Sequence, residues 1–219
     1  MTRRRRRRLN PRFVALCLLL ILAAAGAAAR VLLPWLDRPQ GQDMVLPAYV
    51  EPALLTENPW SRPGTPLEKV RGVVIHYVGN PNTSAQANRN YFESLKTGTE
   101  ELYASAHFIV GLEGEVLQCI PLTEWAYASN TRNGDTVSIE VCHPDETGEF
   151  LPGTYDRVVE LTAWLCDAFD LTSADVLRHY DVSGKLCPLY YVENEDAWRA
   201  LLADVDKQLA QLRAAEKNT

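Results

Sequence analysis

The sequence predicts a mixed α/β domain behind an apolar N-terminal segment. A continuous apolar run of strand length, GVVIHYV at 72–78, is the first sign. Two long stretches with helical periodicity are the second, TYDRVVELTAWLCDAFD at 154–170 and EDAWRALLADVDKQLAQLRAAEK at 195–217. Further strand and helix signals alternate between them, which is the pattern of an α/β domain.

The bulk properties agree. The 219 residues, 47% of them hydrophobic, suffice for one cored domain plus an appendage. Five cysteines are too few for a disulfide-stapled mini-domain. The net charge of −6 conceals an asymmetry, because residues 1–30 hold eight arginines and no acid. Without those eight, 14 basic residues face 28 acidic ones, a charge of −14. So acidic a domain is a poor nucleic-acid binder, and bulk charge would not hold it on an anionic surface.

Residues 1–12, MTRRRRRRLNPR, form a basic tail. The run from Phe13 to Ala29 carries no charge, and RVLLPWL extends its apolar character to residue 36. Residues 13–36 are expected to be a transmembrane anchor, with the arginines cytoplasmic and the rest of the chain outside. Cleavage at the alanines, which would release a secreted protein, is the alternative. Residues 37–64 read as a linker, with Pro39, Pro47, Pro52, Pro59 and Pro63 spread along them. The main folded domain is expected at 65–212.

Within it, SAQANRNYFESLK at 84–96 starts at a capping serine and reads as a helix. SAHFIVGLEGEVLQCIP at 105–121 reads as two strands around a turn at Glu113-Gly114, and DTVSIEVCH at 135–143 as another strand. The helix at 154–170 has a threonine cap and a stripe of Val158, Leu161, Leu165 and Phe169. DVLRHYD is a short strand entering a loop. The closing helix puts Trp198, Leu201, Leu202, Val205, Leu209 and Leu212 on one face.

LRHYDVSGKLCP at 177–188 gathers His179, Asp181, Lys185 and Cys187. It reads as half of a metal site, as a cysteine with its base, or as a loop over a buried thiol. His76, near the end of an apolar strand, tilts the balance: two imidazoles and a thiolate suit zinc and leave a fourth position for water.

VVIHY, ASAHFIVGLEGEVLQCIPL, AYASNTRNGDTVSIEV and LRHYDVSGKLCP together resemble the zinc-dependent N-acetylmuramoyl-L-alanine amidases, which share a fold with phage lysozyme-type amidases and peptidoglycan recognition proteins. The resemblance spans roughly residues 58–206. It implies a central mixed β-sheet flanked by helices, with His76, His179 and Cys187 as zinc ligands. It also implies catalytic roles for Glu140, as general base, and Lys185, as a charge facing the tetrahedral intermediate. Ala106 stands where one branch of the family has a tyrosine, which shifts weight to Glu140.

The implied activity is cleavage of the bond between N-acetylmuramic acid and L-alanine by a zinc enzyme. The expected partners are peptidoglycan and, through the N-terminal segment, the membrane. The chain is expected to be a monomer that does not bind nucleic acid. A non-catalytic peptidoglycan-binding module and a cysteine peptidase built on Cys187 and His179 are the alternatives. Among the rest, His107 is left between groove and core, and His143 is expected to face solvent. Asp181 is a candidate to orient His179, and Asn130 and Arg132 to touch substrate. Cys119, Cys142 and Cys166 are expected to be buried thiols, with room for one disulfide.

Overall fold

The computed structural model describes residues 40–216. The basic tail, the apolar segment 13–36 and the first residues of the expected linker lie outside them. Among the described residues no helix is long and apolar enough to cross a membrane.

Six strands form one sheet in the order β1-β4-β3-β5-β2-β6. They are β1 (Val50–Pro52), β2 (Val73–Tyr77), β3 (Phe108–Val110), β4 (Val116–Gln118), β5 (Val137–Val141) and β6 (Val176–Arg178). Only the β3/β4 hairpin is antiparallel; every other neighbouring pair is parallel. The hairpin turns where expected, with Gly114 at φ 79° donating to Gly111 O at 3.1 Å. The mixed sheet expected from the sequence is therefore present.

Helices lie on both faces, so Val73–Ile75 of β2 is a continuous apolar run, while His76, Ser138 and Glu140 break the pattern on one face. The helices α1 (Ala85–Ser94), α2 (Pro152–Ala168) and α5 (Glu195–Glu216) are the long ones. Val73, Ile75, Phe108, Val110, Ile139 and Val141 point to α2 and α5 and meet Val158, Leu161, Leu165, Leu201 and Val205. The other face packs Ile109, Leu117 and Cys119 against Leu55, Phe92 and Leu95 beside α1. Successive strand residues alternate between faces, so His76 and Glu140 belong to the α1 side.

Local chemistry accounts for the helix starts. Ser84 caps α1 by accepting from Ala87 N at 3.2 Å. Helix α2 begins at Pro152 rather than at a threonine cap, since proline has no N–H to leave unpaired at the first position. Thr154 lies inside the helix and donates to Gly111 O at 2.9 Å, tying α2 to the hairpin. Two short helices were not foreseen, α3 (His179–Ser183) and α4 (Leu189–Glu193).

The expected linker at 37–64 needs correction. Its described part, residues 40–64, falls in the same compact unit as the rest of the described chain. Val50–Pro52 adds an edge strand to β4, and Ala53 N and Leu55 N continue the ladder to Gln118 O and Cys119 O at 2.9 Å each. Leu55 is 1% exposed. Arg62 grips both carboxylate oxygens of Glu124 at 2.8 and 2.7 Å and donates to Leu55 O at 2.8 Å. Proline density is compatible with this because an edge strand has one side on which no donor is required.

Candidate metal centre

Parallel pairing of β2 with β5 and β6 sets His76 beside Glu140 in register and Ile75 opposite Arg178. His179 follows β6 directly as the first residue of α3. The chain then turns at Gly184, φ 78°, whose N–H bonds to Tyr180 O at 2.8 Å. Tyr180 N donates to Cys187 O at 2.9 Å, which closes the loop and returns the thiol to His76.

The donor atoms of His76, His179 and Cys187 all lie within 4.8 Å of one another. The two Nδ1 atoms are 3.1 Å apart, and Cys187 Sγ is 3.9 Å from His76 Nδ1. The far side of each ring is also held. His179 Nε2 donates to Asn130 Oδ1 at 2.6 Å, and His76 Nε2 meets Ser129 Oγ at 3.3 Å. With its proton on Nε2, His179 presents a bare lone pair at Nδ1. Burial first, then the charge of Lys185, keeps His179 below the ordinary histidine range. His76 is held well below it by burial, the facing His179 and Lys185, in that order. Two neutral imidazoles at this separation, with a thiol beside them, are a donor set that a divalent soft-to-borderline cation fits.

The outer contacts were only partly foreseen. Asn130, a candidate substrate contact, holds His179 and also lines the cavity beside it, and Ser129 is an addition to the residues expected from the sequence. Asn133 Oδ1 fixes their loop by accepting from Ala128 N at 3.1 Å and Ser129 N at 2.6 Å. Asn130 sits at φ 51°, a conformation asparagine tolerates better than most residues. The signal available in the sequence was this SNTRN spacing after an irregular stretch. Asp181 does not orient His179: it accepts from Arg178 N at 2.8 Å and from its guanidinium. Arg132 pairs with Asp135 at 2.7 Å.

A cavity of about 590 Å³ opens on the centre, lined by His76, Asn130, Glu140, His179, Lys185 and neighbouring residues. Glu140 Oε2 is buried without a hydrogen-bond partner. Burial pushes its carboxyl up to about 8 against the opposing pull of Lys185. Lys185 is exposed at the cavity edge. Cys187 is 2% exposed, and burial followed by the Glu140 charge pushes its thiol up to about 12.

The remaining histidines lie apart from this centre. His107 is buried between Ser138 and Glu124 O, so it belongs to the core and not to the groove. His143 is also buried, contrary to expectation, with Nδ1 2.7 Å from Asp145 O and its ring 5.0 Å from that of Tyr77. Cys119, Cys142, Cys166 and Cys187 are all buried and free, so no disulfide forms among the described residues. Ala106 is fully buried and offers no phenol.

Residues 66–189 match the model of the N-acetylmuramoyl-L-alanine amidase family. The chain is 30% identical over 164 residues to the N-acetylmuramoyl-L-alanine amidase CwlL of Bacillus licheniformis, across 69% of this chain and 45% of that one. It is 32% identical over 158 residues to the N-acetylmuramoyl-L-alanine amidase BlyA of Bacillus subtilis (strain 168), across 63% and 41%. It thus spans under half the length of these relatives. A mutant endolysin from Bacillus subtilis has a similar fold, with a TM-score of 0.60 at 23% identity over 74% of this chain and 99% of that one. The Staphylococcus aureus hydrolase AmiA does so at a TM-score of 0.56 and 15% identity, over 78% and 87%.

Proposed function

Since the chain belongs to the N-acetylmuramoyl-L-alanine amidase family, we propose that it hydrolyses the amide joining N-acetylmuramic acid to the L-alanine of the peptidoglycan stem peptide, with zinc as cofactor. The observation that carries this reading is the convergence of three donors at the foot of a cavity that also presents Glu140 and Lys185. His76 and His179 would hold the ion through Nδ1, and Cys187 through Sγ. A zinc ion there supplies Lewis acidity, polarising a carbonyl oxygen and making water nucleophilic at neutral pH.

The other roles belong to the protein's own side chains. Ser129 and Asn130 hold the rings so that both Nδ1 atoms face inward. Glu140 Oε2, with no competing partner, is free to take a proton at the cavity floor and return it to the leaving amine. Its raised carboxyl range suits a group that must both accept and release a proton near neutrality. Lys185 offsets the charge that gathers on the carbonyl oxygen as the amide becomes tetrahedral.

The cysteine-peptidase alternative has less support, because a buried thiol pushed up to about 12 is a poor nucleophile. The test is hydrolysis of a muramyl peptide by the purified protein. Chelation should abolish it and zinc should restore it. Full activity after chelation, lost on thiol alkylation, would replace this reading with the peptidase.

We also infer that residues 13–36 anchor the chain in the membrane with the catalytic domain outside. The support is the arginine block directly before an uncharged run. Fractionation tests it: full-length protein in the membrane is expected, and a shortened soluble species would mean a cleaved signal.

A further inference from the structure

The cavity at the candidate centre adjoins a second hollow of about 550 Å³, lined by Glu57, Asn58, Pro59, Pro63, Tyr103 and Tyr127. Tyr103 and Tyr127 line both, so the two hollows share a wall. These tyrosines belong to a row of rings. The centroids of Trp60 and Tyr103 are 4.8 Å apart, those of Tyr103 and Tyr127 5.1 Å, and those of Tyr127 and Trp125 5.3 Å. Tyr103 is 53% exposed despite these contacts.

Trp60 is seated firmly behind it. A Cβ added at Gly98 would fall 2.6 Å from Trp60 Nε1, so only glycine lets the loop before Tyr103 lie this close. Asn58 Oδ1 fixes the turn carrying Trp60, accepting from Trp60 N at 2.8 Å and Ser61 N at 2.9 Å. The rings are tilted against one another, by 32° between Trp60 and Tyr103 and 57° between Tyr103 and Tyr127, so Tyr103 is braced by its neighbours while about half of it stays exposed.

We propose that this second hollow binds sugar residues of the glycan strand next to the muramyl group, with Tyr103 and Tyr127 as the stacking surface. The proposal rests on the amidase reading for the identity of the polymer. Its chemistry rests on the lining. Aromatic faces carry negative charge density and match the C–H faces of pyranose rings, while tyrosine hydroxyls and Asn58 offer polar edges to sugar hydroxyls. Among the described residues, the only charged side chain lining the hollow is Glu57. An uncharged saccharide meets no penalty there, whereas a stem peptide bearing free carboxylates would meet a like charge and no cation. The volume suits one or two rings.

Glu57, Asn58, Pro59 and Pro63 all precede residue 66, where the match to the family model begins. The Pro-rich segment would therefore do more than join the domain to the membrane segment: it forms the outer wall of the glycan groove.

The experiment measures binding of peptide-free glycan strands to the full-length chain in detergent, by calorimetry and tryptophan fluorescence. Wild type should bind, and Tyr103→Ala should weaken binding at least tenfold. Tyr103→Trp should retain it, because it keeps an aromatic face. Trp60→Ala should weaken it as well, and circular dichroism would identify any variant that had failed to fold. Absence of glycan binding in the wild type, or unchanged binding in folded Tyr103→Ala, would overturn the proposal. So would tighter binding of free stem peptide that depends on Tyr103. Hydrolysis of a single-sugar muramyl peptide by the wild type is read separately. If it fails, the amidase reading falls; if it succeeds while glycan binding fails, only the present inference falls.

Discussion

Replacing His107 should flatten the acid limb of the stability curve. His107 is 1% exposed, and its tautomer is set on both sides. Ser138 N donates to Nδ1 at 3.0 Å, and Nε2 donates to Glu124 O at 2.9 Å. A proton on Nδ1 would confront the Ser138 N–H, and burial independently lowers the group from 6.5 to about 4. A histidine lowered on folding binds fewer protons folded than unfolded between those values. Its contribution is fully favourable above about pH 7 and is lost as pH falls from 6.5 toward 4. The linkage expression gives a loss of about 2 kcal/mol between pH 7 and 5, and about 3 kcal/mol by pH 4. His107→Gln keeps an acceptor and a donor but cannot titrate. Urea unfolding of wild type and variant at pH 7 and 5 measures the difference of differences, in which carboxylate terms common to both cancel. The variant should be less stable at pH 7, with the gap narrowing by about 2 kcal/mol at pH 5. Parallel pH profiles would refute the reasoning and imply a charged or solvated imidazole.

Four other outcomes are expected. Asn130→Ala should weaken zinc binding roughly 10- to 100-fold, read by competition with a chromogenic chelator, because His179 loses the partner that fixes its proton. Glu140→Gln should lower kcat on a muramyl peptide about a hundredfold or more with bound metal unchanged, and Lys185→Met should depress kcat more than it raises KM; a Glu140→Gln protein with near-normal turnover would place the proton elsewhere. Leu55→Ala should cost about 2–5 kcal/mol in urea unfolding, as for a core leucine, whereas a leucine in a free linker would cost under about 0.5 kcal/mol.

Period and punctuation made the sheet and long helices legible. Val73–Tyr77 opens on three apolar residues because both faces are covered there, Val137–Val141 alternates apolar and polar residues, and Ser84 and the glycine turns mark boundaries directly. The centre was legible through the resemblance: His76 and His179 are 103 positions apart, and no spacing rule joins them. What stayed hidden depends on long-range pairing. Val50–Pro52 has too few residues to show a period, and Pro52 argues for an extended chain whether free or paired. His143 reads as a surface residue at a strand end until Tyr77 is seen against it. Asp181 is two positions from His179 and three from Arg178, yet it pairs with Arg178, which carries the opposite charge and lies 2.9 Å away.

The proposed ligands are also separated in order of synthesis. His76 is made early, Ser129 and Asn130 midway, and Cys187 only near the end of the matched segment. A chain stalled or cut between residues 179 and 187 would have both imidazoles and lack the sulfur of Cys187. The register that sets β6 beside β2 would also be unfinished until shortly before that point. Fragments that end before Cys187 would therefore lack one of the three donors of the proposed metal site.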